Sequence, residues 1–364
     1  MRIKFEVSME KKSAMGEAGL VKLWFEIVAV MIIIMVGIGG ITRLSRAGLS
    51  IVEWKPITGI IPPISEKDWE REFEKYKKIA QYRVLHNWMS IDDFKKIYLI
   101  EYIHRLWGRI VGLSLIIPAI IFAVKKKISG FMIKYVLLLS FLFFLQGVIG
   151  WLMVKTGVEG ERVFVSPLAL AGHHTFALIV YSFVILGIYI ARAKEKEVAR
   201  DFELQNLEDL SRKISKLKKL SLISIFLFFV QFFFGTLLAG TKGAVFAPTY
   251  PDINGKLIPP NLFEGFILEN PFFVNFVHRH FSLVLLIPFI FLAIERKVLP
   301  LIIWIFQFVL GIITLLKSKG EVPVLLGATH QVTAWLLYSS IITILFESVL
   351  SYRVISNFVG KKRG

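Results

Sequence analysis

Eight long apolar runs punctuate this 364-residue chain, near residues 23–41, 105–124, 133–154, 171–191, 219–240, 272–294, 298–316 and 323–349. A bilayer hydrocarbon core of about 30 Å takes about 20 helical residues to cross, so each run is long enough to span it. Inside lipid every backbone N–H and C=O must be satisfied within the protein, which leaves helices as the solution for isolated runs of this length. With 55% hydrophobic residues and 32 phenylalanines, the composition agrees. The sequence predicts an all-α integral membrane protein with eight transmembrane helices.

Lysine and arginine set the orientation. Segments 1–22, 125–134, 192–219, 296–297 and 353–364 carry 24 of them, against 6 in the opposite short loops 155–169, 241–271 and 317–322. The richer side is cytoplasmic, which puts both termini inside. The first outer loop, 42–100, holds 11 basic residues but is too long for this bias to apply. The net charge of +17 is then mostly topology and attraction to anionic membrane lipid, and calls for no nucleic acid partner. The absence of cysteine excludes disulfides, thiolate zinc sites and iron–sulfur ligation. Residues 1–22 read as a basic cytoplasmic tail, not a cleavable signal, and 350–364 as a second cytoplasmic tail.

Spans 2, 4, 6 and 8 enter from the outer side, and each carries a histidine near its start: His104, His173, His278 and His330. An ionisable residue inside a membrane is expensive and points to function by default. One such histidine is readily a satisfied core residue; four at matched depth in regular alternation are not. Zinc sites tend to place ligands three or four residues apart with cysteine or carboxylate partners, and no such cluster occurs here. His278 and His280, two apart, project from different faces of a helix, and the adjacent His173 and His174 meet the same limit. One imidazole from each of two facing helices suits a planar macrocycle slotted into a bundle, its iron held from both sides. Arg105, Arg109 and Arg279 lie close to these histidines, where they either pair with heme propionates or snorkel to headgroups.

The two halves read as copies. Glu101-Tyr102-Ile103-His104-Arg105 opens span 2, and Asn275-Phe276-Val277-His278-Arg279 opens span 6. Span 3 carries Gln146 through Gly150, and span 7 carries Gln307 with Gly311. Four spans return the chain to its starting side, so the halves form two pseudo-symmetric four-helix bundles, 23–192 and 218–349, joined by a charged linker at 193–217. One difference bears on chemistry: Glu101 stands three residues before His104, where Asn275 precedes His278. Positions i and i+3 share a helical face, so Glu101 lies beside whatever His104 ligates. There a carboxylate accepts a proton or stabilises a developing cation, whereas asparagine only hydrogen-bonds. The plainer reading of Glu101 is an interfacial acid at a span start.

From about residue 36 to 345 the chain resembles heme A synthase, of the cysteine-free type found in alphaproteobacteria and mitochondria. The matching segments include Gly39-Gly40-Ile41-Thr42-Arg43-Leu44 and the long stretch from Gly48 to Gly59 with Pro62-Pro63. Glu101 to Arg105, Gly108-Arg109, Gln146 to Val154, Glu269-Asn270, Phe276 to Arg279 and Thr329-His330-Gln331 follow. The chain departs at Gly172-His173-His174, where the family has a single histidine; register makes His173 the counterpart. The resemblance implies oxidation of the C8 methyl group of heme O to a formyl group, giving heme A for cytochrome c oxidase. It implies a heme b cofactor bound by His278 and His330, with Arg105 and Arg279 alongside. The substrate iron would sit between His104 and His173, with Glu101 in catalysis. Heme O synthase and an electron acceptor are the implied partners, and a homo-oligomer is compatible with all of this; the short N-terminus and the Ile-, Phe- and Lys-rich composition point to a bacterial plasma membrane.

Two other classes compete. A diheme electron carrier accounts for paired histidines but not for an acid beside one iron only. A transporter predicts polar residues at the midplane and broken helices, and polarity here is concentrated at the outer ends. Finally, Trp69, Phe73 and Tyr76 mark residues 66–78 as an amphipathic helix, expected in the membrane interface over the N-terminal bundle.

Overall fold

The computed structural model describes residues 2–198 and 207–363, with side chains over 16–192 and 210–352. Eight helices contain the apolar runs: α1 (Arg2–Leu44), α3 (Ile91–Val124), α4 (Gly130–Val158), α5 (Pro167–Val198), α6 (Leu207–Gly240), α8 (Pro271–Ile294), α9 (Leu299–Leu316) and α10 (Val324–Arg363). Two shorter helices, α2 (Glu66–Lys77) and α7 (Gly243–Phe246), lie in the loops between spans. The described residues contain no β-strand, only an isolated bridge between Ile253 and Lys256. Of the expected linker 193–217, residues 199–206 lie outside the described residues, and the helices on either side run into it. The backbone from Arg2 is continuous with α1, and that to Arg363 with α10, so both expected tails are helical over these residues.

The helices close two rings. In one, α1 touches α3, α3 touches α4, α4 touches α5 and α5 returns to α1; in the other, α6, α8, α9 and α10 do the same. Three seams join them: α1 with α10, α5 with α6, and α5 with α10. Along the last seam Tyr181 Oη and Ser339 Oγ lie 2.7 Å apart, and Ser182 Oγ and Tyr338 Oη 2.6 Å apart. These reciprocal bonds satisfy four hydroxyls where water is scarce. Around them a single apolar core runs through both rings, including Phe25, Leu115, Leu139, Leu178, Phe232, Phe289 and Trp335. Gly187 lets α5 meet α1 closely, because a Cβ there would stand 2.6 Å from the Phe25 ring. The opposite faces present leucine, isoleucine and phenylalanine outward, as at Leu137, Phe141 and Phe144 of α4, which is the dress of a lipid-facing surface.

The first outer loop departs from expectation in two ways. Span 2 begins well before residue 105: Ser90 caps α3 in a reciprocal capping box with Asp93, and the helix projects outward before entering its apolar stretch. The amphipathic helix α2, itself capped by Ser65 and Asp68, lies against that projection. Phe73 and Tyr76 stack on Phe94 with ring centroids 5.0 and 5.3 Å away, and Trp69 meets Tyr98 edge-on. Its apolar stripe is covered by protein, so the loop is a small layer with its own core.

Candidate functional site

Each of the four histidines lies with its ring against a glycine of a neighbouring helix. A Cβ on Gly39 of α1 would stand 3.1 Å from His104 Nε2. On Gly150 of α4 it would stand 2.9 Å from His173 Cε1, on Gly235 of α6 2.8 Å from His278 Cε1, and on Gly311 of α9 3.0 Å from His330 Cε1. Only the missing side chain makes room for the imidazole. His173, His278 and His330 sit roughly two turns into their helices, whereas His104 lies almost four turns into α3 because that helix starts further out. His104 on α3 and His173 on α5 belong to one ring of helices, and His278 on α8 and His330 on α10 to the other.

Three glutamines, one turn before three of those glycines, hold the histidine helices. Gln146 Nε2 donates to the His173 carbonyl at 3.1 Å and lies 3.2 Å from Nδ1 of the same ring. Gln231 Nε2 does so for His278 at 3.0 Å, with Nδ1 also at 3.0 Å. Gln307 Nε2 donates to the His330 carbonyl at 3.0 Å and reaches Nε2 at 3.2 Å. Sequence reading singled out Gln146 and Gln307 only as repeat markers and missed Gln231 and Gly235. The signal was present as a recurring Gln-x-x-x-Gly spacing.

The adjacent His173 and His174 have different neighbours. His174 Nδ1 donates to the Leu170 carbonyl at 3.0 Å, and its Nε2 accepts from Gln331 Nε2 at 3.3 Å, so both ring nitrogens are spent inside the bundle. His173 alone has the glycine and glutamine surroundings shared with His278 and His330. His280 is engaged with Phe276, its Nδ1 donating to the carbonyl at 2.7 Å and its ring tilted against the phenyl ring with centroids 4.1 Å apart.

Glu101 and the arginines pin the loops that follow spans 1 and 5. Glu101 is 2% exposed. Its Oε2 accepts from Ser50 Oγ at 2.7 Å and from the Ile51 N–H at 2.8 Å; its Oε1 accepts from Arg105 Nη2 at 2.7 Å and Nε at 3.1 Å. Arg105 also donates to the Ile51 and Glu53 carbonyls. In the second half Asn275 Nδ2 donates to the Gly243 carbonyl at 2.7 Å, and Arg279 donates to the carbonyls of Ala247, Thr249 and Asp252. Arg109 likewise donates to the Lys55 and Pro56 carbonyls. So both halves use the residue three before histidine and the arginine after it to pin the chain that follows span 1 or span 5. Beyond the membrane, Lys55 and Lys75 hold the Glu53 carboxyl below the usual range, and burial pushes the Lys242 ammonium down to about 8.

These residues fit a bound heme on three counts. The donors are imidazoles presented singly from facing helices, and among the described residues no three His, Asp or Glu side chains converge on a point that would hold an ion by themselves. Glycines clear the ring positions. Buried polar atoms without protein partners surround the pairs: Arg109 Nη1 and Arg279 Nε are spare donors for carboxylates, and the Oε1 atoms of Gln146, Gln231 and Gln307 are spare acceptors for ring N–H groups.

Known proteins resemble this chain over most of its length. Residues 22–342 match the model of the family described as cytochrome oxidase assembly protein. The chain is 35% identical over 343 residues to the protein named heme A synthase of Wolbachia pipientis wMel, covering 91% of this chain and 94% of the relative. It is 35% identical over 346 residues to that of Orientia tsutsugamushi (strain Boryong), covering 89% and 95%. It is 36% identical over 330 residues to that of Ehrlichia canis (strain Jake), covering 88% and 90%.

Proposed function

The chain belongs to the cytochrome oxidase assembly protein family, and from that premise we propose that it works as a heme A synthase. It oxidises the C8 methyl group of heme O to a formyl group by successive hydroxylation, water supplying the oxygen atom while four electrons and four protons leave, and releases heme A for cytochrome c oxidase. The observation that carries the assignment of roles is the inequality of two otherwise matched histidine pairs: a buried carboxylate, Glu101, precedes His104, and an amide, Asn275, precedes His278.

His104 and His173 take the iron of the substrate. His278 and His330 would hold heme b, which would supply a redox centre for the electrons that leave the methyl carbon. Glu101 shares the face of α3 with His104. Its charge is fixed in place by Ser50, the Ile51 N–H and Arg105, so it is oriented before reaction to stabilise positive charge on the methyl carbon or to take its proton. Arg279 keeps Nε, and Arg109 keeps Nη1, for the propionates. Arg105 serves the heme indirectly, because its donors are committed to Glu101 and the loop carbonyls. The enzyme lies in the plasma membrane of a bacterium with both termini on the cytoplasmic side, receives heme O from heme O synthase and passes electrons to an acceptor. The likeness of three ring environments favours one rival, a diheme electron carrier, but such a carrier has no use for Glu101.

Expression in a host that makes heme O but lacks heme A synthase, followed by extraction and chromatography of the hemes, tests the function. Heme A or its hydroxylated precursor should accumulate. Recovery of heme B alone, with heme O unchanged, would contradict it and favour the electron carrier.

A further inference from the structure

We propose that Met35 makes His104 the releasing ligand of this protein, the one imidazole left unclamped so that the heme it binds can be exchanged. The inference rests on the two-heme reading above and goes beyond it.

Three helices carry glutamine four residues before the glycine that faces a histidine: Gln146 and Gly150, Gln231 and Gly235, Gln307 and Gly311. In α1 the same place before Gly39 is occupied by Met35. The three glutamines each hold a histidine carbonyl and touch its ring. Among the described residues, no hydrogen bond reaches the His104 ring. The Met35 side chain turns instead onto α3 one turn past His104, where its Cε stands 3.3 Å from a Cβ built on Gly108.

A histidine that binds iron through one ring nitrogen carries a proton on the other, and that N–H needs an acceptor to fix the tautomer and the ring plane. A glutamine amide offers both donor and acceptor, and the Oε1 atoms of Gln146, Gln231 and Gln307 are all buried without a partner. Turning the amide gives the ring N–H its acceptor in place of the bond to the histidine carbonyl. A thioether is a weak acceptor and cannot do this. His278 and His330 are therefore both clamped, as a retained cofactor requires. In the other pair His173 is clamped by Gln146 and His104 is free, as a site that admits heme O and gives up heme A requires. The glutamines and Met35 are positioning residues, acting through the imidazoles.

The test uses the full chain in detergent, reconstituted with heme b and heme O. Transfer to excess apomyoglobin is followed by absorbance, with the transferred heme identified by chromatography. Wild type should lose heme O in a fast phase and heme b in a slow one. Met35→Gln should slow the fast phase, and Gln231→Met should speed the slow one, each by about 10- to 100-fold, the usual effect of a partner to a metal-bound histidine. The low-spin signal of both irons should persist, and Gln231→Glu, which keeps an acceptor, should restore slow loss of heme b. Met35→Gln with two low-spin irons and an unaltered fast phase would overturn the proposal. Should that variant not fold, an unaltered slow phase in Gln231→Met would overturn it equally. Fewer than two hemes bound by wild type would instead overturn the two-heme reading, and the proposal with it.

Discussion

Glu101 and Asn275 occupy the same turn before equivalent histidines, and each ties down a backbone segment that follows the preceding span. Loop anchoring is what they share; the negative charge is what they do not. Glu101→Gln separates the two, since it keeps size and most hydrogen bonds. It should lower heme A formation by about 10²- to 10⁴-fold, the range for loss of a positioned acid or base, while both hemes remain bound; chromatography of the extracted hemes measures both. Glu101→Ala is a blunter probe, because it leaves the Ile51 N–H buried without a partner, at about 1–3 kcal/mol, and the Ser50 hydroxyl with only the Ile97 carbonyl. At Gly235 a methyl group would stand 2.8 Å from His278 Cε1. Gly235→Ala should weaken the low-spin absorbance of heme b and leave heme O binding intact. The histidines and the Glu101–Asn275 contrast were legible in sequence because helical spacing is local. The arginine roles were not: Arg105 and Arg279 meet carbonyls on distant loops, and a sequence shows their charge but not its partner.

The outer layer illustrates the same limit for a whole element. The four- and three-residue spacing of Trp69, Phe73 and Tyr76 marks α2 as amphipathic, and the helix is there; what covers its apolar face, Phe94 and Tyr98, lies on another helix. The early start of α3 was legible in the Ser90–Asp93 capping pair but was masked by the mixed polarity of residues 91–104. Within this layer His86 is buried, 2.6 Å from Tyr76 Oη, which also donates to Gln81 Oε1. Burial, assisted by the charge of Arg46, holds the His86 imidazole below its ordinary 6.5. The unfolded ring takes up a proton near that value and the folded one only at lower pH. Its contribution is therefore full above pH 6.5 and is lost as the pH falls below it. Proteolysis of the 66–90 segment should rise between about pH 7 and pH 5, and His86→Phe should flatten that part of the profile; a profile unchanged by the substitution would refute the assignment.

At the scale of the molecule, eight helices were countable from apolar length alone, since lipid leaves a chain so few solutions. How the halves join was not: the α5–α10 seam of Tyr181, Ser182, Tyr338 and Ser339 pairs residues about half the chain apart. The orientation has a direct test, because the chain has no cysteine to interfere. In intact cells an impermeant maleimide should label Asn254→Cys and spare Ser129→Cys, and the reverse pattern would invert the topology. The central claim is that the histidine pairs are unequal, one holding a cofactor and the other a substrate. The heme content of two purified variants, expressed with heme O available, tests it most directly. His104→Ala should retain heme b and carry neither heme O nor heme A; His278→Ala should lose heme b and still carry heme O. Loss of the same heme from both variants would contradict the account.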